Sequence, residues 1–285
     1  MNDKKKFSPK ENLLFGTSGI PESAQGNTIA GIIKIKELGL DAMEIEFVRG
    51  VYIKKEYAAS VRDYAKRYGV VLTAHAPYFI NLNSYDTEKV IASCERIKNT
   101  CIISEEAGII SFAFHPAYYG KSSQQDTFEK VKSSLEHILS GLSDDGIIRV
   151  DLRPEIAGKL SQFGSLDEVI GLSKLFVNVK PCIDFAHIYS RSIGKLNSYE
   201  GFCSVLERIQ KELGKEGLQD MHIHMAGIQY SQRGEVRHLN LEDSDFNYKD
   251  VLKALKDFDA RGVVIAESIN PQRDALLLKS LWNKM

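Results

Sequence analysis

Apolar runs rich in β-branched residues alternate along this chain with stretches whose apolar positions recur at helical spacing. The runs that predict strands lie at 13–16, 42–48, 70–76, 109–115, 147–156, 178–185, 220–226 and 262–267. The stretches that predict helices lie at 28–38, 54–68, 86–107, 123–140, 167–176, 198–214, 248–258 and 271–284. The segment 54–68 is typical, because its apolar residues Tyr57, Val61, Tyr64 and Tyr68 fall on a single stripe of a helix.

Eight strand-then-helix units predict one closed α/β barrel, the (β/α)8 or TIM barrel, and 285 residues is a normal length for it. No linker divides the chain, so residues 1–285 are expected to form a single domain, with residues 1–11 as a flexible N-terminal segment. An open, doubly wound sheet is the alternative. The connection 227–247 after the seventh strand is far longer than a usual βα loop, and it contains His238.

Composition narrows the partners that the chain can have. A formal charge of −1 creates no global attraction for nucleic acid or membrane, so a polyanion must be bound by a local patch or by metals. The sequence has no apolar run of the ~20 residues that span a bilayer and no apolar segment in MNDKKKFSPKEN, which predicts a cytoplasmic protein without membrane contact. The four cysteines lack CxxC spacing and are expected to be reduced core residues. The sequence contains no GxGxxG or Walker motif, which predicts that the protein uses no nucleotide cofactor.

Histidines and carboxylates recur at or near the C-terminal ends of the predicted strands. They are His75, His115, Glu155, Asp184, His187, His222, His224 and Glu267. In a (β/α)8 barrel these strand ends converge on the catalytic face, and imidazole and carboxylate are ligands that zinc and manganese accept. The pattern therefore predicts a multi-metal site at the mouth of the barrel.

Some of these residues have alternative interpretations. His222 and His224 face the same side of one strand, and we favour His224 as the ligand because it is nearer the strand end, with His222 orienting a ligand. Glu155 has an ordinary alternative, a salt bridge with Arg153 or Lys159. His137 lies in a predicted amphipathic helix without any partner motif and is interpreted as a surface or helix-capping histidine.

The segments that carry these residues resemble the endonuclease IV family of apurinic/apyrimidinic (AP) endonucleases, within the xylose isomerase-like TIM barrel superfamily. The most specific segment is HAPYFINL at 75–82, which fits the family pattern H-x-x-Y-x-I-N-L. The segments FHPAYYG, PEIAGKLSQFGS and CIDFAHIYSRSIG are similar to the family's second-histidine, bridging-glutamate and Asp-x-x-His blocks.

The resemblance implies two or three divalent metal ions, with Zn²⁺ favoured and Mn²⁺ possible. It implies that His75, His115 and Glu155 hold the first metal. Glu155 then bridges to a second metal held with Asp184, His224 (or His222) and Glu267, which makes Glu155 and Glu267 the expected catalytic carboxylates. His187 and His238 would hold a third metal. There the chain departs from the family, because Val236 stands where the family has an aspartate, so the third site needs Glu235, Asp243 or Asp245 as its carboxylate.

The function implied by the resemblance is DNA repair: a monomer that hydrolyses the phosphodiester 5′ to abasic sites in duplex DNA and leaves a 3′-hydroxyl. Tyr78 at the mouth and the cations Arg191, Arg233 and Arg237 are the expected DNA contacts, while the loop VRGVYI shows no counterpart of the family's DNA-penetrating loop. A metal-dependent sugar isomerase or epimerase is the main alternative, since that branch shares the residues Glu155, Asp184, His224 and Glu267. A barrel that binds damaged DNA with reduced catalysis is a further alternative, which Val236 suggests.

Overall fold

The computed structural model describes residues 9, 11–144 and 149–285. In chain order its elements are β1 (Leu13–Ser18), α1 (Thr28–Glu37), β2 (Ala42–Glu46), α2 (Lys55–Tyr68), β3 (Val71–His75), α3 (Thr87–Ala107), β4 (Ser111–Phe114), α4 (Gln124–Asp144), β5 (Asp151–Pro154), α5 (Leu166–Ser173), β6 (Cys182–Asp184), α6 (Phe185–Arg191), α7 (Tyr199–Leu213), α8 (Glu216–Gln219), β7 (Met221–Met225), β8 (Gly227–Ser231), β9 (Gly234–Leu239), a 3-10 turn (Leu241–Asp243), α9 (Tyr248–Asp257), β10 (Gly262–Ala266) and α10 (Pro271–Lys284). Most of the predicted flexible segment 1–11, and the start of the predicted strand 147–156, lie outside the described residues.

Eight of the strands form one parallel sheet, in the order β5-β4-β3-β2-β1-β10-β7-β6. Its two end strands are joined by parallel bridges between Leu152 and Val179 and between Glu155 and Cys182, with the Ile156 N–H donating to the Cys182 carbonyl at 3.1 Å. The sheet therefore curves into a barrel, as predicted, and the open doubly wound sheet is wrong.

Close backbone contacts hold neighbouring strands in register. A Cβ on Gly16 of β1 would lie 2.2 Å from the carbonyl oxygen of Ala42 on β2, so a larger residue would separate these strands. Outside the barrel, α2 packs through Ala58, Val61 and Ala65, which are buried, whereas the tyrosines of the predicted stripe flank this face. The small alanines let the helix approach the sheet closely, and for that reason the bulky aromatic residues are displaced to the sides.

Two features near the C-terminal ends of the strands were not predicted. Helix α6 begins directly at the end of β6, because the Asp184 side chain accepts a hydrogen bond from the His187 N–H at 2.6 Å and so caps the helix. The long connection 227–247 contains an antiparallel hairpin of β8 and β9. Both elements carry side chains of the candidate site.

Over the described part of the chain, no helix combines the length and the hydropathy needed to cross a membrane. The cysteines are free thiols, and Cys94, Cys101 and Cys182 are buried in the core while Cys203 is half-buried.

Candidate metal centre

The C-terminal ends of the barrel strands surround a pocket of about 360 Å³. Its lining contains histidines from four segments together with three carboxylates: Glu46, His75, His115, His187, Glu235, His238 and Glu267. Tyr78 and Tyr118 stand at its edge. Of the strand-end residues predicted from the sequence, His75, His115, His187 and Glu267 line this pocket.

Glu155 lies at the centre of this group and is fully buried. Its Oε2 is 3.1 Å from His75 Nε2 and 3.5 Å from His115 Nε2, and its Oε1 is 3.2 Å from both His187 Nδ1 and His224 Nδ1. Burial alone would raise the pKa of Glu155, but the surrounding imidazoles outweigh burial and hold that pKa well below its usual range. A carboxylate with two oxygens that each face two imidazoles has the geometry of a bridging ligand.

The alternative interpretation of Glu155 finds no support in these contacts. Arg153 turns toward the opposite end of the barrel, where its Nη2 pairs with Asp151 at 3.2 Å and with Asp220 at 3.4 Å. His137 is exposed on α4, as predicted.

The backbone fixes which nitrogen of three of these histidines faces the centre. His75 Nδ1–H donates to the Ala76 carbonyl at 2.8 Å, His187 Nδ1–H donates to the Ile156 carbonyl at 2.9 Å, and His238 Nδ1–H donates to the Glu267 carbonyl at 2.9 Å. Nε2 is therefore the nitrogen through which each ring would bind a metal in place of a proton: His75 Nε2 on the side of Glu155, and His187 Nε2 and His238 Nε2 beside each other at 3.3 Å.

Among the described residues, five groups have ligand atoms within 4.8 Å of one another, and three of them contain the predicted ligands; the other two are Cys182, His222 and His224, and Glu44, Glu46 and Glu267. The first group is His75, His115 and Glu155, and the second is Glu155, Asp184, His224 and Glu267. Glu155 belongs to both groups. In the second group His224 Nδ1 lies 3.3 Å from Glu267 Oε1.

The third group is His187, Glu235 and His238. His187 Nε2 lies 3.5 Å from Glu235 Oε2 and 3.3 Å from His238 Nε2. A carboxylate, that of Glu235, thus stands where the predicted third group needs one and where Val236 has none. Gly158 makes room for it, because a Cβ there would lie 2.7 Å from Glu235 Cβ.

A β-bulge explains this exchange of residues. The hairpin register passes from Gln229 opposite Arg237 to Tyr230 opposite Glu235, so Val236 is the additional residue on β9 and its side chain is 51% exposed. Asp243 and Asp245, the other residues considered for this role, lie elsewhere: an Asp243 oxygen accepts from Asn240, and Asp245 is in the loop beyond.

The donor set fits divalent cations of the zinc type. Asp184 Oδ2 is buried and receives no hydrogen bond from the described residues, although its Oδ1 accepts from His187 N–H. Burial raises the pKa of Glu267 to about 8, against the opposing effect of His224. Asp184 Oδ2 lies 3.3 Å from His187 Nδ1 without a hydrogen bond, and a buried carboxylate oxygen of this kind beside a second buried carboxyl suits coordination of a cation.

Two carboxylates on β2, Glu44 and Glu46, were missed by the sequence analysis. Glu46 lines the pocket and accepts a hydrogen bond from Ser18 Oγ at 2.8 Å, and burial raises its pKa to about 7. Glu44 lies deeper, with His222 Nε2 2.7 Å from its Oε2. The alternation in MEIEF at a strand end resembles that in HIHMA and was the available signal. His222 therefore contacts Glu44, whereas His224 contacts Glu155.

The predicted DNA contacts divide into two kinds. Tyr78 is 58% exposed with its ring 5.8 Å from that of His75, and Arg233 and Arg237 are exposed on the hairpin. Arg191 differs from the prediction, because its Nη1 donates to the carbonyls of Ala157, Lys159 and Gln162 and its Nη2 to the Tyr119 hydroxyl. Its guanidinium therefore stabilises the loop after β5 through these hydrogen bonds, which occupy the donors that a phosphate would need.

A (β/α)8 barrel with imidazoles and carboxylates at its C-terminal mouth defines the class of this protein. The family model for xylose isomerase-like TIM barrels matches residues 32–282, and the chain belongs to that family. An uncharacterized protein of Methanocaldococcus jannaschii is 46% identical over 273 residues, which cover 96% of this chain and 98% of that protein. A probable endonuclease 4 of Aquifex aeolicus is 23% identical over 247 residues, which cover 84% of this chain and 86% of that protein.

Solved structures show the same fold in two kinds of enzyme. Endonuclease IV from Thermus thermophilus matches with a TM-score of 0.71 at 18% identity, over 96% of this chain and 100% of that chain. A D-tagatose 3-epimerase-like protein matches with a TM-score of 0.69 at 20% identity, over 95% of this chain and 96% of that chain. The predicted resemblance to endonuclease IV is thus confirmed by a relative in sequence and by a solved structure. The fold is also shared with a sugar epimerase-like protein.

Proposed function

We propose that this protein is a metal-dependent DNA-repair endonuclease that acts as a monomer and hydrolyses the phosphodiester 5′ to abasic sites in duplex DNA, leaving a 3′-hydroxyl. The observation that carries the proposal is the surroundings of Glu155, whose carboxylate has imidazole nitrogens of four histidines at 3.1–3.5 Å. This bridging position lies between two ligand groups, and a third group stands beside them.

The residues have distinct roles in this proposal. Glu155 would be a ligand shared by two cations, one held with His75 and His115 and the other with Asp184, His224 and Glu267. Zn²⁺ suits this set of nitrogen and oxygen donors, and Mn²⁺ is acceptable. Bound divalent cations of this kind supply a nucleophile at neutral pH and stabilise charge on a phosphodiester.

The rim of the pocket suits a lesion in a duplex. Tyr78 is 58% exposed and offers a flat aromatic surface beside His75, and the next residue, Phe79, is also exposed. An abasic nucleotide leaves the base stack at low cost, because it has no base to unstack or unpair. Since the chain carries a formal charge of −1, phosphate contacts are assigned to the exposed cations Lys121, Lys195, Arg233 and Arg237.

The third ligand group favours phosphodiester hydrolysis over sugar isomerisation. The sugar-isomerising branch resembles this chain in Glu155, Asp184, His224 and Glu267. His187, Glu235 and His238 add a further cation position on the side of the pocket where the hairpin projects. An additional positive charge is useful for a phosphodiester and superfluous for a neutral sugar.

A sugar isomerase or epimerase is the second candidate, and Glu44 and Glu46 favour it. With these two residues the site contains six carboxylates, the others being Glu155, Asp184, Glu235 and Glu267. Their charge would balance that of three divalent cations, which leaves the site less attractive to an anion and compatible with a neutral sugar. The fold shared with a D-tagatose 3-epimerase-like protein agrees with this candidate.

A labelled duplex with one tetrahydrofuran lesion separates the two functions. We expect the zinc-loaded protein to cut directly 5′ to the lesion and to leave an end that a DNA polymerase extends. Glu155→Gln should abolish cutting, while His137→Ala, which changes an exposed histidine on α4, should cut at the parental rate. An intact strand together with turnover of keto- or aldo-sugars would assign the protein to the second candidate.

A further inference from the structure

Beneath the three ligand groups, Glu44 is buried inside the barrel with a relative exposure of 0%. Its Oε2 accepts from Thr73 Oγ1 at 2.8 Å and lies 2.7 Å from His222 Nε2. His224 Nε2 lies 3.0 Å from its Oε1, at an angle outside the usual range for a hydrogen bond, and no other described residue donates to that oxygen. Glu44 thus stands directly behind a ligand of the second group.

One assignment of protons lets Thr73, His222 and His224 all donate to the Glu44 carboxylate, with the Nε2 atoms of the two histidines 3.3 Å apart as neighbouring donors. Ser111 Oγ lies 3.1 Å from His222 Nδ1 and donates to it, so His222 carries its proton on Nε2 and donates to Glu44 Oε2. Thr73 donates to the same oxygen. The remaining oxygen, Oε1, then accepts from His224 Nε2–H. His224 Nδ1, on the side of Glu155 and Glu267, is left as the atom that would bind a cation in place of its proton.

These contacts cross the interior of the barrel. Glu44 and Thr73 are register neighbours on β2 and β3, whereas His222 and His224 are on β7, three strands away from β2 in the sheet. Because β2 and β7 are not adjacent, the carboxylate links the two sides of the barrel through its core. His224 is therefore contacted at Nε2, the nitrogen that points away from Glu155, by Glu44 from the other side of the barrel.

We propose that Glu44 is a positioning residue, which orients His224 through the 3.0 Å contact with Nε2 so that Nδ1 faces the cation held with Glu155, Asp184 and Glu267. A carboxylate behind an imidazole fixes both its tautomer and its ring orientation, and it makes the opposite nitrogen a stronger donor. His222 and Thr73 keep the carboxylate itself in place.

This inference rests on the metal centre of the proposed function and not on its substrate. Cation affinity is therefore measured in the absence of DNA and sugar, by competition with a chromophoric chelator for Zn²⁺. We expect Glu44→Gln to weaken the binding of the His224 cation by about 10- to 100-fold, which is the usual effect of losing such a partner. In Co²⁺-loaded protein the visible absorption band should shift, since the donor strength of His224 changes.

Asp41→Asn is the matched control, because Asp41 is also a buried carboxylate but precedes β2 at the opposite end of the barrel, where it accepts from Phe15 N–H and pairs with Lys279. We expect it to retain Zn²⁺ affinity within about twofold of the parent. Parental affinity in Glu44→Gln, or an equal loss in both variants, would overturn the proposal.

A second measurement uses the unchanged protein and does not depend on the folding of a variant. Nitrogen-15 NMR of histidine-labelled, zinc-loaded protein reports the tautomer of each ring. We expect His224 to carry its proton on Nε2, in slow exchange with water. A proton on Nδ1 would overturn the proposal even if DNA cutting were observed, whereas failure of DNA cutting with the Nε2 proton in place would count against the proposed substrate alone.

Discussion

Glu235 Oε2 lies 3.5 Å from His187 Nε2, at the position where the sequence pattern leaves the third ligand group without a carboxylate. The bulge in the hairpin turns Glu235 inward and Val236 outward. A ligand is therefore supplied by the residue before the expected one, through backbone geometry.

We predict that Glu235→Gln removes one bound cation per chain and leaves the two cations that share Glu155. The reason is that His187 and His238 alone provide two neutral donors, which hold a divalent ion weakly. Elemental analysis after dialysis against dilute zinc measures the change. Val236→Asp added to Glu235→Gln should not restore the lost cation, because position 236 faces solvent; recovery in that double variant would contradict the assignment.

The metal-free protein should lose stability as pH rises from 7 to 9. Burial raises the pKa of Glu46 to about 7 and that of Glu267 to about 8. Burial would lower the pKa of His75, but its hydrogen bond to Glu155 and nearby carboxylate charges outweigh burial and raise it to about 10. All three pKa values lie above those of the unfolded chain, so the folded form binds more protons in this range and its stability falls with pH.

Thermal unfolding in chelator and in zinc tests this pH dependence. We expect Tm to fall between pH 7 and pH 9 in chelator and to fall much less in zinc, because bound cations take over the role of the protons. Glu46→Gln should flatten the chelator curve near pH 7. A metal-free Tm that is constant or rising over this range would contradict the pKa directions.

Tyr78 should contribute to DNA affinity through its ring. We predict that Tyr78→Ala raises KM for an abasic duplex by an amount equivalent to about 1–3 kcal/mol, which is typical of a lost stacking contact, with a smaller change in kcat. Tyr78→Phe keeps the ring and should behave like the parent. Equal losses in both variants would instead assign the effect to the hydroxyl.

Glu46 should oppose an anionic substrate. We predict that Glu46→Gln strengthens binding of abasic duplex by about fivefold, or ~1 kcal/mol, because it removes a negative charge from the pocket wall. Glu22→Gln changes an exposed acid outside this pocket and serves as the charge control. Weaker DNA binding in Glu46→Gln would indicate that Glu46 accepts a hydrogen bond from the substrate.

Sequence reasoning located most of the site because the ligands end parallel strands, and the C-terminal ends of such strands share one face of the barrel. This rule placed Glu155 and Glu267 together although the chain separates them by more than a hundred residues. It could not choose Glu235, since the bulge depends on how β8 pairs with β9. It also overlooked Glu44, because a buried acid in a strand is recognised by its partners across the barrel, which no local pattern reveals.

The central claim is that Glu155 bridges two cations, and the zinc content of Glu155→Gln tests it most directly. Glutamine has the same size but lacks the charge that the four surrounding histidines and two cations require. We predict that the folded variant loses both principal cations together, with an affinity for zinc at least about 100-fold below that of the parent. A folded Glu155→Gln protein that keeps the parental zinc content would contradict the account.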